Sequence, residues 1–222
     1  MEKIMAAFDY GVKANPALFE KLVKDGFQID VQGFIRQGWE MFKQHIGEFV
    51  GFTLIMFAVS ALFSKFGTFG SILGTAVAAP FSAGFAIVAF NLLTGKSLQF
   101  GDFFKGFNYF LPLFLAGLAT GILVSIGLFL LILPGIYLGV CYLFVLHLII
   151  DHRMEFWDAM ETSRKIVSKN WFAVFGFAFA LFAVNLLGAL ALVVGLLVTI
   201  PVTSCAAAIA YREIVGLNAS EW

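Results

Sequence analysis

From Phe172 to Val198 the chain carries no charged side chain. That run exceeds the roughly 20 apolar residues a helix needs to cross a bilayer, and it fixes the solvent the chain must fold in. Hydrophobic residues make up 61% of the sequence and charged ones 13%, against about 45–50% and 25% in soluble domains. Lipid is therefore the expected surrounding, and a polytopic transmembrane helical bundle the expected class.

Apolar runs between charges predict spans near 49–64, 71–93, 113–131, 133–150, 171–190 and 192–211. Six spans put both termini on one side. Thirteen of the 14 Lys and Arg fall on that side and only Lys65 on the other; all 14 Asp and Glu share the side of the termini. Lys and Arg stay cytoplasmic, so both termini are expected in the cytoplasm. The outer connections are too short for a receptor or enzyme domain. Residues 1–28 mix charged and apolar side chains, unlike a signal peptide, and are expected to form an N-terminal helical segment in which Asn15 caps, Pro16 opens and Gly26 ends a short helix. This segment is expected to pack on the bundle or to dock a partner. The membrane domain covers 29–215, and 216–222 form a short tail.

Three segments align from their first residues: DVQGFIRQGW from Asp30, QFGDFFKGFN from Gln99 and EFWDAMETSR from Glu155. Each begins with a polar and then an apolar residue, and leads into an amphipathic pattern. Three later segments, 79–90, 133–144 and 200–211, also align. Each has proline in second place and an aromatic ten residues on: Pro80 and Phe90, Pro134 and Phe144, Pro201 and Tyr211. The predicted fold is all-α, six spans as three pseudo-repeats of an amphipathic interfacial helix plus a two-span hairpin. Two-span units keep one orientation, so the copies are expected to be related by rotation about the membrane normal.

In the third copy Phe156, Ala159, Met160, Ser163, Ile166 and Val167 share one helical face, with Asp158, Glu161, Lys165 and Lys169 opposite. Glu161 and Lys165 form a favourable i,i+4 pair. Phe34, Gly38 and Phe42 repeat the apolar stripe in the first copy, and Phe100, Phe103, Phe104 and Phe107 form a band in the second. Such helices are expected to lie in the interface plane with the apolar face toward lipid. Trp39, Trp157 and Trp171 then serve as interfacial anchors. Pro112 is expected to end the second of these helices, and Pro80, Pro134 and Pro201 to kink their spans. Gly70/Gly74, Gly117/Gly121 and Gly135/Gly139 read as close-packing small-xxx-small pairs, with a pore lining as the other use of such residues.

Polar groups within the spans are few (Thr53, Ser60, Ser64, Ser71, Thr75, Ser82, Asn91, Thr120, Ser125, His147, Asn185, Thr199, Thr203 and Ser204), and no span holds an Asp, Glu, Lys or Arg. Coupled transport usually needs such a charge. His147 and Asp151 stand four residues apart on one face, with Asp158 the third weak candidate for a polar site. One His and one carboxylate make a poor metal site, so capping or hydrogen bonding is the expected role. Nucleotide, nucleophile-elbow and metalloprotease motifs are absent. Cys141 and Cys205 sit in apolar runs as small buried residues. No catalytic residue, cofactor or metal is predicted, and zero net charge gives no case for nucleic acid.

The runs LPGIYLGVCYLFVLHLIID, FWDAMETSRKIVSKNW and VGLLVTIPVTSCAAAIAYREI resemble a group of uncharacterised bacterial six-span membrane proteins, with Pro-Gly-Ile heading span four and an Ala-x-x-x-Ser helix, here Ala159 and Ser163. They are also similar to the membrane domain attached to some glycerophosphodiester phosphodiesterases. GFIRQGWEMFKQHIGEFVGFTLI fits the same group's first repeat, so the resemblance covers about 28–215. It implies a fold and no catalytic residues. The expected function is non-enzymatic: organising lipid or a partner complex at the cytoplasmic leaflet. Membrane lipid is the expected partner, with a protein partner or a second copy as further candidates. The alternative is a channel or small-solute passage through the bundle or its oligomer. An enzyme acting on a lipid head group would need a pocket built from groups such as His147, Asp151 and Asp158.

Overall fold

The computed structural model describes residues 26–191 and 194–218. The helix expected over 15–26 falls outside them except for Gly26. Helix makes up 85% of the structure, and no strand occurs among the described residues. The elements are α1 (Val31–Gln44), α2 (Ile46–Ser64), α3 (Gly67–Leu93), a 3₁₀ helix η1 (Phe100–Tyr109), α4 (Phe110–Leu130), α5 (Ile132–Cys141), α6 (Val145–His152), α7 (Phe156–Lys169), α8 (Trp171–Leu190) and α9 (Leu196–Val215). Six helical stretches are long and apolar enough to cross a membrane: α2, α3, η1 with α4, α5 with α6, α8 and α9.

These spans form two tiers. α3 and α9 have 67% of their apolar window buried, and the α5–α6 stretch 44%, whereas α2, α4 and α8 have 17–22%. Small residues of α3 and α9 admit close backbone approach where they are covered, at Gly84 against the Phe103 carbonyl and at Ala206 against Gly38. The outer helices turn Phe and Leu outward, as Phe129, Phe172 and Leu190 do.

The connecting helices α1, η1 and α7 begin where their sequences suggest. Asp30, Gln99 and Glu155 are their N-caps. The Asp30 carboxylate accepts the Gly33 N–H at 2.8 Å, and the Asp102 carboxylate accepts the Gln99 N–H at 3.3 Å. On α1 and α7 the apolar stripes, expected to face lipid, are buried against protein instead; on η1 Phe103 alone of the aromatic band is buried, and Phe100, Phe104 and Phe107 are 37–40% exposed. Phe34 meets Phe177 edge-on at 5.7 Å. A Cβ on Gly38 would stand 2.7 Å from the Val202 carbonyl oxygen and 2.9 Å from the Ala206 nitrogen of α9. A Cβ on Gly106 would collide with the Pro80 carbonyl of α3, and one on Gly84 with the Phe103 carbonyl. Ser163 of α7, fully buried, donates to the Cys141 carbonyl at 2.6 Å. α1 thus rests on α9, η1 on α3, and α7 on α5. In each case the support is a helix carrying one of the prolines Pro201, Pro80 and Pro134.

Three local expectations need correction. Pro134 sits in the first turn of α5, where its missing N–H has no intrahelical acceptor to lose, so it kinks nothing. That span breaks instead at Tyr142–Phe144, between α5 and α6. Pro80 and Pro201 do lie inside their helices, which continue past them. Pro112 does not end a helix; it falls in the first turn of α4. The second connecting element is 3₁₀ rather than α. With three residues per turn, Phe103, Gly106 and Tyr109 stay on one line, and Gly106 lets that line settle on the α3 backbone. Four fully buried rings fill the seam: Phe52 lies 4.5 Å from Phe103 and 5.0 Å from Phe85, and Phe49 lies 5.4 Å from Phe103.

Candidate functional site

The aromatics placed ten residues after each proline meet. Phe90 of α3, Phe144 of the α5–α6 break and Tyr211 of α9 are fully buried, with Phe90 and Phe144 centred 5.6 and 6.1 Å from the Tyr211 ring. His147, three residues after Phe144, completes the cluster. Its imidazole stacks on Tyr211 at 5.4 Å and 21° and lies 5.9 Å from Phe90 and 6.1 Å from Phe144. The rings fill the space between the three inner helices.

One turn further along α6, Asp151 is also fully buried. A carboxylate removed from water is tolerated only when its oxygens are satisfied, and here they are. The Tyr211 hydroxyl donates to Asp151 Oδ2 at 3.0 Å, the Asn218 backbone N–H reaches Oδ1 at 3.1 Å, and His152 Nε2 stands 3.3 Å from Oδ2. The chain after α9 is held back onto α6 through this carboxylate.

The three weak candidates from the sequence therefore separate. Asp151 has the hydrogen-bonding role expected of it. His147 Nδ1 is buried without a partner, so the imidazole is held by ring packing. Asp158 is exposed in the first turn of α7 and lines none of the cavities described below. Among the described residues no three His, Cys, Asp or Glu side chains are grouped closely enough to hold a metal ion. Trp39 and Trp157 are 41% and 56% exposed on α1 and α7. Trp171 is half-buried; its indole N–H donates to the Tyr137 carbonyl at 3.3 Å and its ring stacks on Tyr137 and Phe175.

A cavity of about 260 Å³ adjoins His147. Its polar lining comes from Ser82 of α3, His147 of α6, Asn185 of α8, and Thr203 and Ser204 of α9; alanine, leucine and phenylalanine complete it. The Asn185 amide donates to Thr203 Oγ1 at 3.0 Å, and Asn185 Oδ1 is buried without a partner. Leaving such an atom unpaired costs about 1–3 kcal/mol.

Two larger grooves, of about 600 and 500 Å³, flank α4. Both share Gly117, Gly121 and Ser125. The first runs between α3 and the half-exposed Leu118, Ile122 and Ile126; the second faces Gly139, Tyr142 and Leu146. A Cβ on Gly117, Gly121 or Gly139 would meet nothing within 4 Å. These glycines hollow out grooves, contrary to the close packing expected of them. Close packing does occur at two of the expected glycines: a Cβ on Gly70 would collide with the Phe63 carbonyl, and the Gly135 backbone stands 2.9 Å from where a Cβ on Gly127 would lie.

Two features were missed in the sequence: the joining of Tyr211 to both His147 and Asp151, and the pairing of Asn185 with Thr203. The common spacing from proline to aromatic marks Tyr211, but spacing alone gives no contact. No family model, curated protein or solved structure matches the chain, and nothing in those comparisons links it to the phosphodiesterase-associated membrane domains that its motifs resemble.

Proposed function

We propose that this is a non-enzymatic bacterial inner-membrane protein of three pseudo-repeated units that organises lipid at the cytoplasmic leaflet. The grooves beside α4 carry the proposal. They lie along a spanning helix, their lining is largely apolar, and Leu113 to Ile126 extends about 20 Å at 1.5 Å per residue, the reach of an acyl chain. Gly117 and Gly121 keep that length clear of side chains.

The repeat is supported by the three N-caps, by the three connecting helices each seated on a proline-bearing helix, and by the convergence of Phe90, Phe144 and Tyr211. The distribution of Lys and Arg supports a cytoplasmic position for the charged end. The ring cluster around His147 weighs against a solute path through a single copy. A second copy or a protein partner is the other occupant to test against lipid.

Extraction of the full chain in native membrane discs, followed by lipid analysis, tests the proposal. Lipid of defined composition and stoichiometry should be retained, and the double substitution Gly117→Leu, Gly121→Leu should release it. A retained lipid mixture identical to the bulk membrane and unchanged by these substitutions would sink the lipid function. So would a stoichiometric protein occupying the α4 face.

A further inference from the structure

We propose that the 260 Å³ cavity beside His147 receives, from the lipid side, the uncharged head of a lipid carrying a free hydroxyl. This deepens the lipid function above and rests on it for the source of the ligand, but it concerns a different site.

Hydrogen-bonding capacity points to a hydroxyl. His147 is 6% exposed, yet its Nδ1 has no partner, and Asn185 Oδ1 is likewise buried and unpartnered. The Asn185 amide is held in place because its N–H donates to Thr203 Oγ1, which itself donates to the Thr199 carbonyl at 2.8 Å. Its oxygen is thereby left as an acceptor that no protein donor reaches. Ser82 and Ser204 add hydroxyls to the lining. A ligand that both donates and accepts answers Asn185 Oδ1 and the imidazole together, whereas a carbonyl alone leaves Asn185 unanswered.

Charge and access narrow the class. No Asp, Glu, Lys or Arg lines the cavity, so a phosphate or ammonium group would be buried without a counter-charge. Ser82 is exposed and Phe182 is 61% exposed, and both lie well inside spanning helices. The mouth therefore opens toward hydrocarbon, and the ligand arrives dissolved in the membrane. The volume equals that of about nine waters at about 30 Å³ each, enough for a glycerol-sized head with its tails left along the outer face of α8.

The test is native mass spectrometry of the full chain titrated with dioleoylglycerol, oleyl alcohol, trioleoylglycerol and dioleoylphosphatidylglycerol. A saturable one-to-one adduct is expected with dioleoylglycerol or oleyl alcohol, and comparison of the two tells whether the glycerol esters contribute. Trioleoylglycerol, which lacks a hydroxyl, and the charged phospholipid should bind at least tenfold more weakly. Asn185→Leu and the rim substitution Ser82→Leu should each reduce the adduct at least tenfold; Ser82→Leu leaves His147 and Asn185 untouched, so the test survives if the other variant misfolds. Equal binding of trioleoylglycerol, no saturable adduct with either hydroxyl lipid, or binding indifferent to Ser82→Leu would overturn the proposal. Neither residue lines the α4 grooves. Retained membrane lipid that persists in these variants therefore distinguishes failure at this site from failure of the lipid function as a whole.

Discussion

The Tyr211 hydroxyl donates to the Asp151 carboxylate across 3.0 Å, tying the last spanning helix to the end of α6. Both side chains are 0% exposed, so neither can exchange its partner for water. Tyr211→Phe keeps the ring against His147 and removes only the donor. It should lower stability by about 1.5–3 kcal/mol, the usual range for a hydrogen bond to a charged group. Asp151→Asn retains an acceptor for Tyr211 and should cost less. Unfolding of the two variants in detergent, compared with the parent chain, checks the order.

Glycines that look alike in the sequence should respond in opposite ways. An added methyl on Gly38 would press into the Val202 carbonyl and the Ala206 backbone of α9, so Gly38→Ala should destabilise by about 1–3 kcal/mol through overpacking. Gly117 has open space around it. Gly117→Ala should be neutral or stabilising by up to about 1 kcal/mol, because alanine is the better helix former. The same unfolding measurement reads both. A loss at Gly117 as large as that at Gly38 would contradict the groove.

The contrast between these glycines marks the boundary of what could be read from the sequence. The spans were legible because lipid is a uniform solvent and charges interrupt the apolar runs. The last span was displaced by about four residues, since Arg212 and Glu213 continue α9 until Gly216 takes a left-handed φ of 86° and ends it. The helix starts at Asp30, Gln99 and Glu155 were legible because each aligned segment opens with a polar residue followed by an amphipathic pattern. The 3₁₀ geometry of η1 was not, because an aromatic band over ten residues does not separate a period of 3.0 from one of 3.6. Gly38 and Gly117 differ only in which backbone lies opposite, and that is decided by helices far away in the chain. The same holds for His147 and Tyr211.

Ser163 offers a test of how α7 is held. Its hydroxyl donates to the Cys141 carbonyl at the end of α5, where the helix stops and its last carbonyls have no intrahelical donor. Ser163→Ala leaves that carbonyl buried and should cost about 1–3 kcal/mol. Ser163→Thr keeps the donor but adds a methyl at a fully buried position. It should lie between alanine and the parent if the hydrogen bond dominates, and below alanine if packing does. Hydrogen exchange across 156–169 should rise in Ser163→Ala before global unfolding, because the lost contact is local to α7.

The charged face of α7 predicts a weak acid dependence with a definite sign. Arg164, bonded to Glu161 at 2.7 and 2.8 Å with Lys165 at 3.4 Å, holds the Glu161 carboxyl below the usual carboxylate range. A folded-state value below the unfolded one means that the contribution is complete above the ordinary carboxylate range. It is lost as pH falls through the lowered value. Both partners are about 40% exposed, so solvent screening keeps the effect to about 1 kcal/mol or less. Glu161→Gln should therefore flatten the acid limb of a stability-against-pH profile by that amount and leave stability below the limb unchanged. High salt should shrink the difference between the two proteins, since an exposed pair is screened where a buried one is not. If the difference instead grew in acid, Glu161 would be favouring its protonated form in the fold, and Arg164 would not be its partner in solution.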